Sequence, residues 1–69
     1  MTQAERVKEY IRLNGSITPI EATLNLGIID LARTISYMRK QGEKIKGTPE
    51  KSLNRFGEKV HYYRYTLEE

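Results

Sequence analysis

Residues 18–42, TPIEATLNLGIIDLARTISYMRKQG, decide how the chain folds. Thr18 suits a helix N-cap, and Pro19 falls at the first helical position, where the amide has no partner inside the helix and its loss removes nothing. Glu21 puts a negative charge in the first turn, where the helix dipole favours it. With Ile20, Ala22 and Leu24 this makes a short helix of about two turns. Asn25-Leu26-Gly27-Ile28 breaks it. Gly27 accepts the positive φ of a tight turn, while Leu26 and Ile28 flank it and point inward. Asp30 then opens a longer helix that reaches about Gln41 and stops at Gly42. Leu31, Ile35 and Met38 share one face, with Ala32 and Arg39 at its edge; Arg33, Tyr37 and Lys40 lie opposite, with Asp30, Ser36 and Gln41 at the margins. A short helix, a glycine-containing turn and a second helix with a cationic outer face form a helix-turn-helix pattern.

Working outward, Thr2 and Glu5 fit a capping box, and Ala4, Val7 and Ile11 follow at the spacing of an amphipathic stripe. Asn14-Gly15 ends that segment, which predicts a first helix over 3–13. Beyond Gly42 the period changes. Lys44-Ile45-Lys46 alternates polar and apolar, and residues 61–67, HYYRYTL, read as an aromatic-rich strand. His61, Tyr63, Tyr65 and Leu67 share one face of it, and Val60, Tyr62, Arg64 and Thr66 the other. Pro49, Asn54 and Gly57 predict that residues 48–58 are a loop or the loose end of a hairpin. Three helices followed by a two-stranded ribbon is the winged-helix order, an α+β winged helix-turn-helix in one domain over 1–69.

Composition narrows the function. Sixty-nine residues with 38% hydrophobic content build one small core, too small for a deep, water-excluding active site. The chain has no cysteine, so it has no disulfide framework, thiolate zinc site or Cys nucleophile. His61 is the only histidine, with no cysteine and only the distant Asp30 as an acidic partner, which supports neither acid–base catalysis nor a metal centre. The glycines form neither a Walker loop nor a dinucleotide fingerprint. The expectation is a non-enzyme without cofactor or metal. The N-terminus lacks the apolar core of a signal peptide, and no apolar run is long enough to span a membrane, so a cytoplasmic location is expected.

The net charge of +3 is uneven. Residues 1–32 carry three cations against four carboxylates, residues 33–65 nine against three, and Glu68 and Glu69 follow. A basic second half suggests one side turned to a polyanion. The outer N-terminal part of the second motif helix would meet base edges in the major groove, which nominates Asp30, Arg33, Thr34 and Tyr37, with Lys40 further along. Arg33 can donate two hydrogen bonds to a guanine, and Tyr37 can touch a thymine methyl or a phosphate. Asp30 can accept from cytosine, or serve the helix dipole. Ser16, Thr18 and the start of the second helix are candidates for phosphate. On the ribbon, Lys44, Lys46 and Arg64 point outward together, and Lys51, Asn54, Arg55 and Lys59 gather at the tip, where Arg55 can enter the minor groove. Phe56 is expected to anchor the tip back on the ribbon.

Gly15-Ser16-Ile17-Thr18, Leu26-Gly27-Ile28 and Asn54-Arg55-Phe56-Gly57, with Leu31 to Gly42 and Tyr65-Thr66-Leu67, resemble the small winged helix-turn-helix proteins of bacteriophages and prophages. The resemblance covers nearly the whole chain. It implies double-stranded DNA binding in phage gene regulation, with Arg33, Thr34 and Tyr37 at recognition-helix positions and Asn54 and Arg55 at the wing tip. Ile29 stands where a Ser or Thr cap is expected, and Tyr37 where an acidic residue often sits. An excisionase-like architectural role is the close alternative. A protein-docking module that inhibits a host protein is the alternative from another class, and RNA binding lacks a sheet face free to stack bases. Without a heptad seam or an extra dimerisation helix, a monomer in solution, pairing on DNA, is expected.

Overall fold

The computed structural model describes residues 1–68; Glu69 lies outside them. Helices α1 (Gln3–Asn14), α2 (Pro19–Leu26) and α3 (Leu31–Lys40) precede an antiparallel hairpin of β1 (Ile45–Leu53) and β2 (Lys59–Leu67). The capping boxes are complete: Thr2 with Glu5 opens α1, and Thr18 with Glu21 opens α2. Gly27, at φ 68°, ends α2 in the left-handed region, and Asp30 caps α3 by accepting from the Arg33 amide at 3.2 Å. The cap is therefore Asp30, and Ile29 stands outside the helix.

Val7, Ile11, Ile17, Ala22, Ile28, Leu31, Ile35, Met38, Ile45 and Tyr65 form the core. Helices α1 and α3 contribute the stripes that their spacing dictates, α2 contributes only Ala22, with Ile20 and Leu24 exposed, and Leu26 and Leu67 pack against the rim. Ile17 and Tyr65 are joined by more than packing. Their backbones exchange hydrogen bonds of 3.0 and 2.9 Å, so the segment before α2 forms a one-residue third strand beside β2. This long-range bridge ties the hairpin to the helical body, and nothing in local sequence pattern announces it.

The hairpin corrects one expectation. Residues 48–53 are strand, not loop, and β1 pairs with β2 from Ile45↔Leu67 to Leu53↔Lys59. Pro49 is tolerated for a geometric reason. Tyr65 directs its N–H and C=O to Ile17, away from β1, so Gly47, opposite Tyr65, also points its backbone groups outward. Two residues on, Pro49 lacks an N–H that would have faced outward anyway, and no ladder bond is lost. The turn is confined to residues 54–58. Asn54 Oδ1 accepts from the amides of Phe56 at 2.9 Å and Glu58 at 3.0 Å, and Gly57 takes φ 75°. The molecule measures 38 × 22 × 21 Å. A nine-residue strand extends about 30 Å, so the hairpin accounts for much of the long axis.

Candidate nucleic-acid interface

On α3, Arg33, Tyr37 and Lys40 are exposed, while Leu31, Thr34, Ile35 and Met38 are buried. Thr34 therefore leaves the set of groove-facing candidates. It is only 7% exposed, and its hydroxyl donates to Gln3 Oε1 at 3.2 Å, joining α3 to the start of α1. The helical period explains this: residue 34 lies three positions from Leu31 and four from Met38, within the inward stripe. Asp30 is exposed, but one carboxylate oxygen is used in the cap.

The start of α2 is also occupied. Glu21 Oε1 accepts from the Thr18 amide at 2.9 Å and from the Thr18 hydroxyl at 3.0 Å. Thr18 is 3% exposed, and Ser16 Oγ accepts from Arg64 Nη1 at 2.9 Å. A built-in carboxylate thus stands where a phosphate was expected, and Ser16 and Thr18 are structural. Arg64 is withdrawn for the same reason. Its Nε donates to Glu50 at 3.0 Å, and Glu21 lies 3.9 Å from Nη1. Arg64, with a smaller contribution from the Tyr62 hydroxyl, holds the Glu50 carboxyl below its ordinary pKa; Glu50 in turn raises that of Arg64.

The remaining cations behave differently. Among the described residues, Arg33, Lys40, Lys44, Lys46, Lys51, Arg55 and Lys59 make no ion pair. In the first half, Lys8 pairs with Glu43 and Arg12 with Glu9, and Arg6 alone of its three cations makes no ion pair among the described residues. Arg39 is used internally: it donates to the Ile45 carbonyl at 2.9 and 3.2 Å and lies over the Tyr65 ring at 5.9 Å. The seven unpaired cations lie on the outer face of α3, at the base of the hairpin (Lys44 and Lys46) and around its tip. Asn54 is at the tip, but its side chain closes the turn. Phe56 is 79% exposed and does not fold back, because Asn54 and Gly57 hold the turn without it.

A family model described as a winged helix-turn-helix domain matches residues 2–69. The chain belongs to the winged helix-turn-helix family. No curated protein and no solved structure gives a significant match. Winged helices of this type are typically DNA-binding domains rather than enzymes, so α3 stands at the recognition-helix position and the β1–β2 hairpin is the wing. Among the described residues no group of three His, Asp or Glu side chains could hold a metal ion, and no helix is long and apolar enough to cross a membrane.

Sequence reasoning missed one residue of this surface. Ile29 is 91% exposed immediately before the Asp30 cap. It lines a cleft of about 570 Å³ together with Arg33 and Tyr37 of the recognition helix and Thr2 and Gln3 at the start of α1, and Asp30 and Thr34 also border that cleft. The available signal was an apolar residue, directly after inward-pointing Ile28, in a turn that can bury only one of the two.

Proposed function

We propose that this winged helix binds double-stranded DNA, with Arg33, Tyr37 and Lys40 of α3 directed into the major groove and Lys51, Arg55 and Lys59 of the wing tip against the adjacent backbone or minor groove. The observation that carries this reading is the set of seven cations on the recognition helix and wing that, among the described residues, have no carboxylate partner and, unlike Arg39, are not bound to the backbone. Unpaired surface cations remain available to displace the counterions condensed on DNA. Lys44 and Lys46 add positive charge where the wing leaves the body. Ile29 extends the base-facing set with an apolar side chain suited to a thymine methyl.

The resemblance of the Gly15–Thr18 entry, the Leu26–Ile28 turn and the Asn54–Gly57 tip to phage and prophage proteins supports a transcriptional regulator acting in the bacterial cytoplasm. The domain is read as one unit over 1–69, a monomer in solution that pairs on DNA. An excisionase-like protein would bend its site and bind adjacent sites cooperatively, which gel mobility on circularly permuted fragments distinguishes.

Fluorescence anisotropy on a mixed-sequence duplex between about 50 and 200 mM salt tests the reading, with a log–log slope near −0.9 per phosphate contact expected. Arg33→Ala and Arg55→Ala should each weaken binding, and loss of a phosphate contact should reduce the slope by about 1. Arg64→Gln should leave the slope unchanged, because that guanidinium is already neutralised by Glu50 and Glu21. Folded protein that binds no duplex at the lowest salt would overturn the proposal.

A further inference from the structure

The two edges of the wing are not equivalent. Along β1 the backbone groups of Ile45, Gly47, Pro49 and Lys51 point outward. That edge is interrupted: the Ile45 carbonyl accepts from Arg39, and Pro49, which offers no N–H, separates the open groups of Gly47 from those of Lys51. Along β2 the outward groups belong to Tyr65, Tyr63, His61 and Lys59. Tyr65 is satisfied by Ile17, but the segment carrying Ile17 leaves the edge at Pro19 to begin α2. Among the described residues, Tyr63 and His61 make no backbone hydrogen bond on that side. They are two open ladder positions in direct continuation of an existing bridge.

Beside these positions lies a groove of about 540 Å³, with Pro19 and Ile20 of α2 on one wall and Leu53, Val60 and Tyr62 of the wing on the other. Ile20 is 68% and Leu53 65% exposed. A row of alternating donors and acceptors next to an apolar groove is the chemistry that recognises an extended polypeptide. A phosphate backbone matches it poorly, since it accepts but does not donate and does not cover apolar side chains. The charge beside the groove selects among polypeptides. Within the groove lining, Glu21 and Arg64 offset one another, and the flanking residues 51–61 carry Lys51 (which stands opposite His61), Arg55 and Lys59 against Glu58 alone. A second copy of the wing would bring those cations against themselves, whereas an acidic segment complements them.

We infer that the outer edge of β2 at His61 and Tyr63 receives an extended, acidic segment of a partner protein as an added antiparallel strand, with its apolar side chains in the Ile20–Leu53–Val60 groove. This site is separate from α3 and shares only the cations Lys51, Arg55 and Lys59 with the proposed DNA surface, so it is tested with peptide in the absence of DNA.

The test uses a random heptapeptide display library selected against the folded full chain, followed by amide hydrogen exchange with an enriched peptide. Enriched sequences should alternate apolar residues with Asp or Glu, and should protect the His61 and Tyr63 amides. His61→Pro removes one outward N–H as Pro49 does on the other strand. It should weaken binding about tenfold or more. Protection of Val60, Tyr62 and Arg64, whose amides face β1, should be retained in that variant and shows that the wing remains formed. Ile20→Glu, at an exposed position, should also abolish binding by repelling the acidic peptide. Failure to enrich any peptide, enrichment of basic or unpatterned sequences, protection elsewhere, or undiminished binding by His61→Pro would overturn the inference. Protection of His61 and Tyr63 by duplex DNA would overturn it too and assign the edge to nucleic acid.

Discussion

Arg33 and Thr34 are adjacent on α3, yet one faces solvent and the other donates to Gln3 from within the core. Thr34→Ala should lower stability by about 1 kcal/mol, the usual net worth of a hydrogen bond, and leave DNA affinity unchanged. Urea denaturation alongside anisotropy separates these effects, and a selective loss of affinity would return Thr34 to the interface. Ile29 predicts the opposite pattern. Being exposed, Ile29→Ala should leave stability within about 0.5 kcal/mol. If Ile29 covers a thymine methyl, replacing thymine by deoxyuridine in the bound site should weaken the wild type and have little further effect on the variant. Equal sensitivity of both proteins to that replacement would remove Ile29 from the contact set. Arg39, although a cation, belongs with Thr34, because its guanidinium closes the α3–β1 junction on the Ile45 carbonyl.

At the scale of elements, the junction between α3 and the wing depends on a missing side chain. A Cβ on Gly47 would lie 3.3 Å from Tyr65 Cε1 and 3.6 Å from Arg39 Nη2. Gly47→Ala should therefore push the Tyr65 ring back by a few tenths of an ångström and destabilise the protein by about 1 kcal/mol, the lower end of overpacking costs. Thermal unfolding measures this, and an unchanged midpoint would mean that the ring gives way freely. The same element shows why Pro49 misleads a reading by composition. Its effect depends on whether its position faces the partner strand or the open edge, and that parity is set by the Ile17–Tyr65 bridge, remote in sequence from it.

At the scale of the whole molecule, Arg64 joins three parts of the chain: Ser16 before α2, Glu21 within α2 and Glu50 on β1. The lowered pKa of Glu50 carries a pH dependence. A carboxyl with a folded pKa below its unfolded one contributes stability that is present above the unfolded value and is lost as pH falls through the folded one. Glu5, lowered by its bonds to Thr2, and Glu9, lowered by Arg12, act in the same direction. The contribution of these groups should therefore be constant from neutral pH down to the usual carboxylate range and be lost as pH falls below it. Glu50→Gln should lessen that loss, and added salt should reduce the difference, because the pair is partly solvated. Denaturation midpoints across the pH range test this, and parallel wild-type and variant profiles would show that the link contributes nothing.

The sequence by itself determined the three helices, their caps, the inward stripes of α1 and α3 and the strand character of residues 61–67. These depend on interactions within a few positions: a Thr three residues before a Glu, an apolar residue every three or four, a Gly where φ turns positive. It also supplied the excess of cations in the second half, which is a matter of counting. Tertiary structure alone decided which cations remain unpaired. Arg64 and Arg39 are indistinguishable in composition from Arg55, and only the approach of Glu50, Glu21 and the Ile45 carbonyl sets them apart. It likewise decided that Ser16 is taken up by Arg64, and that β1 runs through Pro49. Such outcomes depend on contacts between residues of different elements, six to forty-eight positions apart, whose partners no local pattern specifies.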